Sequence, residues 1–298
     1  MISVIITTHN RPLEILARAV NSIINSTYNE WELIVVDDSD AIFEERSSIK
    51  SYFSNFDDNR ITYIQHNYSC GACAARNTGL KASKGDFVGF LDDDDEWVPE
   101  KMSTMLAVFE TSSPETAMVY CGYYFVYDEN GLINIPRNKF QSFKKGYIFK
   151  HLIKKNFIGS TSFPLIKTKC LKEIGGFDEQ MPASQDYDLW LRLAWYYEVN
   201  YIKTPLVYYH IHTNESITKN NEKRILGQER IYNKYKSYLL SHPSARWHRL
   251  KQMSVLYALR NDSYNAIKSV KTMFRIEPFF LISNVVQFFK ILKHLKKQ

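Results

Sequence analysis

Apolar residues in this chain fall into two kinds of run, and the alternation between them is the first structural signal. Residues 2–7, Ile-Ser-Val-Ile-Ile-Thr, form a β-branched run without helical period, followed by the polar Thr8-His9-Asn10-Arg11-Pro12. Such a run predicts a buried strand and a loop. Pro12 suits a first helical position, and Leu13, Leu16, Ala17, Val20, Ile23 and Ile24 then recur at helical spacing. Trp31-Glu32-Leu33-Ile34-Val35-Val36 predicts a second strand ending in Asp37-Asp38-Ser39. A helix over residues 42–56, a strand over 61–64, a helix over 71–83 and a strand over 86–91 continue the pattern. Alternation with short connections predicts an α/β fold with a doubly wound, mostly parallel central sheet.

The texture changes after a helix predicted over residues 99–110. Residues 117–127 are β-rich, and Asp128-Glu129-Asn130-Gly131 carries an Asn-Gly hairpin signal. Residues 132–145 read as an irregular basic loop, 146–157 as an amphipathic helix, 160–166 as a strand, and then a short helix ends at Gly175-Gly176. This half predicts an antiparallel extension of the first sheet. From about residue 221 the pattern is helical apart from Pro243 and Pro278. The expected organisation is therefore a catalytic or binding domain over residues 1–220 and a helical, basic C-terminal appendage over 221–298.

The most informative stretch is Phe90-Leu91-Asp92-Asp93-Asp94-Asp95-Glu96-Trp97. A predicted strand stops at four consecutive aspartates, and in an open α/β sheet the carboxyl ends of strands are where ligands bind. Four adjacent carboxylates repel one another, at a cost that burial raises. With no local cation, the expectation is full solvation or a hard divalent cation, and therefore a metal and diphosphate site.

Composition narrows the possibilities. The chain has 298 residues, 45% of them hydrophobic, enough to bury a large core. No stretch approaches the roughly 20 apolar residues of a spanning helix, and Met1-Ile2-Ser3-Val4-Ile5 lacks a basic leader, so a cytoplasmic location is expected. Cys70, Cys73, Cys121 and Cys170 are too few for a disulfide framework and are expected to be incidental thiols. The net charge is +6. Lys290, Lys293, His294, Lys296 and Lys297 lie among Phe288, Phe289, Ile291 and Leu292 at the basic end. That pattern suits anionic lipid headgroups, on the cytoplasmic face of an inner membrane, better than nucleic acid; a docked helix with solvated lysines is the alternative.

Six ordered motifs together resemble family 2 glycosyltransferases of the bacterial cell-surface polysaccharide type, which have the glycosyltransferase A fold. They are residues 4–12, Glu32-Leu33-Ile34-Val35-Val36-Asp37-Asp38-Ser39, Gly71 with Ala75-Arg76-Asn77-Thr78-Gly79, residues 90–97, Gly175-Gly176-Phe177-Asp178-Glu179, and Gln185-Asp186-Tyr187-Asp188-Leu189-Trp190-Leu191-Arg192. The resemblance covers roughly residues 1–216. It implies a nucleotide-diphospho-sugar donor, carried by uridine diphosphate, and a glycan or lipid-linked acceptor, as in capsule or lipopolysaccharide synthesis.

Carried over by position, the resemblance implies that Thr8 and Asn10 border the nucleotide and that Asp38 lies at the base and ribose. Asp92 then approaches the ribose and sugar, Asp93 fills the variable middle place, and Asp94 ligates Mn2+ or Mg2+ on the diphosphate. Asp186 matches the catalytic base, with Gln185 where a glutamate often precedes it. A base at the start of a helix is kept ionised by the helix N-terminus, although an N-cap role for Asp186 or Ser184 competes. Asp188 and Arg192, four apart, suit a supporting ion pair.

Arg76 either adds a fixed cation near the phosphates or pairs with Asp37 or Asp38. His212, and less so His210, is a candidate to reach the metal or diphosphate, with a purely structural histidine as the alternative. Trp97, Trp190 and Trp195 suit core packing better than sugar stacking. A single base implies direct displacement with inversion. A nucleotidyltransferase or a dinucleotide dehydrogenase is disfavoured because no glycine-rich loop follows the first strand. A nucleotide-sugar-binding scaffold and a nucleotide-sugar hydrolase remain the competing classes.

Overall fold

The structure is a computed structural model, and it describes residues 1–127, 132–134, 142–211 and 221–277. The alternation appears as β1 (Ile2–Thr8), α1 (Leu13–Ile24), β2 (Trp31–Asp37), α2 (Arg46–Ser54), β3 (Ile61–Gln65), α3 (Ala72–Ala82) and β4 (Phe87–Asp92). Next come β5 (Glu96–Trp97), α4 (Lys101–Glu110), β6 (Thr116–Tyr127), β7 (Leu132–Asn134), α5 (Phe149–Leu152), β8 (Pro164–Lys167) and α6 (Thr168–Glu173). The chain continues through α7 (Gln185–Tyr196), β9 (Glu198–Ile211), α8 (Asn221–Lys234), α9 (Lys236–Ser241), α10 (Pro243–Leu259) and α11 (Ser263–Ile276).

The strands join one sheet in the order β3-β2-β1-β4-β8-β6-β9-β5, with β7 beside β6. The first four are parallel, because each returns through a helix. Their register sets Thr7 beside Val36 and Asp92, and Thr8 beside Asp37. The loops after β1, β2 and β4 therefore open at the same edge of the sheet, the carboxyl edge. Beyond β4 the sheet is mixed: β8 is antiparallel to both β4 and β6, while the long β9 runs parallel to β6 and antiparallel to β5.

Burial explains why the runs fold so. Val4, Ile6, Leu33, Val35 and Leu91 are buried, and α1 lays Leu16, Ala19, Val20 and Ile23 into the same cluster. Removing such surfaces from water is the dominant favourable contribution to folding.

Several expectations need adjustment. Pro12 is the N-cap rather than the first residue of α1, and Glu45 accepts the orphan N–H of Leu13 at 2.8 Å. The helix expected over 146–157 shrinks to the four residues of α5, because Lys154, Lys155 and Asn156 follow without a helical apolar face. The strand expected from residue 160 begins at Pro164, since Ser160, Thr161 and Ser162 turn their hydroxyls to carboxylates instead of entering the ladder. β5 and most of β9 lie where no strand was expected. The Asn-Gly turn falls outside the described residues, but β7 pairs antiparallel with β6 on its far side.

Two compact units divide the chain. The first comprises Met1–Ile148, Phe157–Glu179 and Leu189–Thr213; the second comprises Phe149–Asn156, Gln180–Asp188 and Asn214–Gln298. The helical unit thus takes in two segments from before residue 220. No helix among the described residues is long and apolar enough to cross a membrane.

Candidate active site

At the carboxyl edge of the first unit the loops interlock through side chains. Asn10, in a left-handed backbone conformation at φ 49°, takes an N–H from Asp40 at 3.0 Å and gives its amide to the Asp40 carboxylate at 2.6 Å. Asn adopts this conformation more readily than most residues. The Thr8 hydroxyl donates to Asp93 at 2.8 Å, which joins the end of β1 to the acidic stretch.

Asp38 is saturated. One oxygen accepts the Cys70 N–H at 2.7 Å and the His66 ring at 2.8 Å; the other accepts the Gly71 N–H at 2.8 Å and the Ser69 hydroxyl at 3.1 Å. Burial pushes its pKa up, but these donors outweigh burial and leave the carboxyl below its ordinary value. Asp37 is occupied too, by Tyr63, Gln65 and the Ser39 N–H. Asp38, His66 and Cys70 offer ligand atoms within 4.8 Å of one another. The other ring nitrogen of His66 meets the Thr78 hydroxyl at 3.0 Å, so hydrogen bonding already accounts for this grouping.

The four aspartates are not fully solvated, and guanidinium groups from elsewhere in the chain lie beside them, so the premise of no local cation does not hold. Arg11 reaches both Asp93 and Asp94 at 3.0 Å. Arg76 pairs with Asp92 at 2.9 Å, not with Asp37 or Asp38 as one reading held. Asp92 also accepts the Ser160 and Thr161 hydroxyls, each at 2.8 Å. Asp95, fully buried, accepts the Ser162 hydroxyl and, at 3.1 Å, the His210 N–H. The sequence reading takes Ser160-Thr161-Ser162 only as the start of a strand. A run of three hydroxyl residues after Gly159 was the available signal.

Each carboxyl therefore has its own character. Burial favours the neutral form of Asp92, but Arg76 and the two hydroxyls overcome it and hold the pKa low. Burial holds that of Asp93 above normal despite Arg11. Asp94 is pushed up to about 6 by burial, then by Asp93 and Asp92, with Arg11 opposing. Burial, then Asp92 and Asp94, drive that of Asp95 well up. Asp94 has a side chain that is 22% exposed. A set of carboxylate oxygens of this kind fits a hard divalent cation.

Glu96 and His210 close the other side. The His210 ring meets Glu96 at 2.8 Å, Arg18 lies 3.5 Å from the same carboxylate oxygen, and Arg18 donates to the Asp94 carbonyl at 2.9 Å. The pairing of β5 with β9 brings these groups together. His212 lies outside the described residues. Trp97 and Trp190 are core residues donating to the carbonyls of Ser162 and Gly159, whereas Trp195 is exposed. Lys101 is buried and donates to the Phe163 carbonyl at 2.8 Å, securing the segment behind Ser162.

Asp186 belongs to the second unit, in the first turn of α7, and accepts an N–H from Asn156 at 3.4 Å. Its neighbour Asp188 is buried and pairs with Lys234 at 2.6 Å. Arg192 donates to the Ile174 carbonyl at 2.9 Å.

Comparison with known proteins bears on the whole of this arrangement. The glycosyl transferase family 2 model matches residues 3–175. WcaA of Escherichia coli (strain K12), assigned by its name to colanic acid biosynthesis as a glycosyl transferase, is 30% identical over 264 residues, covering 88% of each chain. WfgD of Escherichia coli, a UDP-Glc:alpha-D-GlcNAc-diphosphoundecaprenol beta-1,3-glucosyltransferase, is 28% identical over 65% of this chain and 69% of its own. The crystal structure of Staphylococcus aureus TarS 1-349 with UDP-GlcNAc superposes with a TM-score of 0.63 at 17% identity, covering 91% of this chain and 90% of that one. The fold is the glycosyltransferase A fold. The chain belongs to glycosyl transferase family 2.

Proposed function

We propose that the protein transfers a sugar from a uridine diphosphate sugar to a hydroxyl of a lipid-linked or growing glycan, with inversion at the anomeric carbon. The observation that carries this reading is the acidic stretch at the carboxyl edge of the parallel strands, where Asp94 keeps a raised pKa beside two arginine-paired neighbours. The donor and acceptor classes are supported by the relatives, one of which is named for a UDP-glucose donor and a diphosphoundecaprenol acceptor.

Asp94 is the residue proposed to hold Mn2+ or Mg2+, with His212 as a further candidate; an ion held there would offset charge on the departing diphosphate. Asp92, held by Arg76, Ser160 and Thr161, is ionised and fixed, suited to accept sugar or ribose hydroxyls. Thr8 and Asn10 order the loop that borders the nucleotide. Asp93 takes the Thr8 hydroxyl and the Arg11 guanidinium, which sets that loop against the acids. Asp38, which braces residues 69–71, is the residue proposed to lie at the base and ribose.

Asp186 accepts the proton of the acceptor hydroxyl as its oxygen bonds to the anomeric carbon. The bond from that carbon to the diphosphate oxygen breaks, and uridine diphosphate leaves with the electron pair. One displacement inverts configuration. The test is incubation with UDP-glucose and a GlcNAc-diphospho-alkyl acceptor, with proton couplings of the product read by NMR. A β-linked product from the α-donor is expected, and an α-linked product contradicts the displacement.

The basic, aromatic segment over residues 279–297 is proposed to meet anionic lipid on the cytoplasmic face of the membrane, where lipid-linked acceptors would be presented. Deleting residues 278–298 is expected to abolish cosedimentation with phosphatidylglycerol vesicles.

A further inference from the structure

We infer that the C-terminal helices are a clamp on the turn that carries Asp186, so that Gly227, Gln228, Lys234 and Arg249 are positioning residues for transfer. The inference rests on reading Asp186 as the base. All of its contacts lie within the second unit.

Ser184, two residues before Asp186, has φ 57°, a left-handed conformation that serine avoids and keeps only when its surroundings impose it. Its carbonyl accepts the Asp188 N–H at 3.0 Å and so starts α7. Four groups from the C-terminal helices hold this turn. The Gln228 amide donates to the Ser184 hydroxyl at 2.8 Å, and its carbonyl oxygen accepts from Arg249. Arg249, wholly buried, also donates to the Tyr187 hydroxyl at 3.3 Å and lies 5.2 Å from the Tyr187 ring. Tyr187 in turn donates to the Leu152 carbonyl at 2.7 Å. Lys234 pairs with the buried Asp188 at 2.6 Å.

Gly227 makes the closest approach. A Cβ there would lie 2.5 Å from the Ala183 carbonyl oxygen. The residues on both sides of Asp186 are therefore fixed by α8 and α10, while Asp186 itself stays partly exposed. A buried guanidinium among neutral partners is costly to keep. Its retention at this place is explained by the turn it braces.

Gly227→Ala is the sharpest test, because alanine is the better helix former. A helix with no steric duty would gain from the change. The clamp instead predicts that the Ala183 carbonyl is pushed aside and Asp186 with it. Turnover is read as uridine diphosphate release from UDP-glucose with a GlcNAc-diphospho-alkyl acceptor. A displacement near 1 Å lowers kcat about a hundredfold, with the KM for UDP-glucose unchanged. Hydrogen exchange across residues 184–188 is expected to rise about tenfold, with α11 unchanged.

Gln228→Leu and Lys234→Met should reproduce the split between kcat and KM. Unchanged exchange and unchanged kcat in Gly227→Ala would overturn the clamp, as would accelerated exchange throughout α8 to α11, which marks general loosening. Full turnover in Asp186→Asn would overturn the catalytic half through the base assignment. That failure is told apart by the exchange pattern at residues 184–188, which does not depend on turnover.

Discussion

Asp94 and its neighbours show how one sequence motif holds carboxyls of different character. Asp92 meets a guanidinium and two hydroxyls and keeps a low pKa, whereas Asp94 shares Arg11 with Asp93 and rises to about 6. The sign of the stability effect follows from that rise. A carboxyl whose folded pKa lies above its unfolded value, roughly 4, binds an extra proton between the two. Stability of the ligand-free protein should therefore fall as pH rises from about 4 through 6. Asp94→Asn is expected to stabilise the ligand-free chain at pH 7 by about 1–3 kcal/mol and to flatten this dependence, as measured by urea unfolding at several pH values. Arg11→Met has the opposite expectation. It leaves Asp93 and Asp94 without their shared cation, and a loss of about 3 kcal/mol follows, with part recovered in the double variant with Asp94→Asn.

At the scale of elements, close approaches decide what the strands tolerate. Gly89 in β4 lies under Trp97, and a Cβ there would fall 2.4 Å from the indole carbon Cη2. Strand propensity favours alanine over glycine, yet Gly89→Ala is expected to cost about 1–3 kcal/mol through overpacking, read as a lowered urea midpoint with unchanged slope.

The elements of the first half were legible because each β-branched run ends at a polar turn, and the site was legible as far as Asp92 to Asp95 end one of those strands. Arg11 and Ser160 were not. They stand 82 and 68 residues from the aspartates they hold, and proximity made by sheet order has no local signature. β9 escaped notice because Lys203, Thr204 and Pro205 interrupt its apolar pattern at a bulge that only pairing with β6 accommodates. The short α5 falls short of the apolar periodicity across residues 146–157 because Lys154, Lys155 and Asn156 follow Ile153.

For the whole molecule, the central claim is that the acidic edge binds a nucleoside diphosphate through a divalent cation held at Asp94. Composition had marked the C-terminal helices as an appendage, since their helical pattern carries no motif. Their place in one unit with residues 149–156 and 180–188 was invisible to a reading that moves along the chain. The most direct measurement is calorimetric titration of the purified protein with uridine diphosphate, with and without Mn2+, repeated on Asp94→Asn. Binding that requires Mn2+ and weakens about tenfold or more in a variant that remains folded is the predicted result. Equal affinity without the metal, or undiminished affinity in Asp94→Asn, would contradict it.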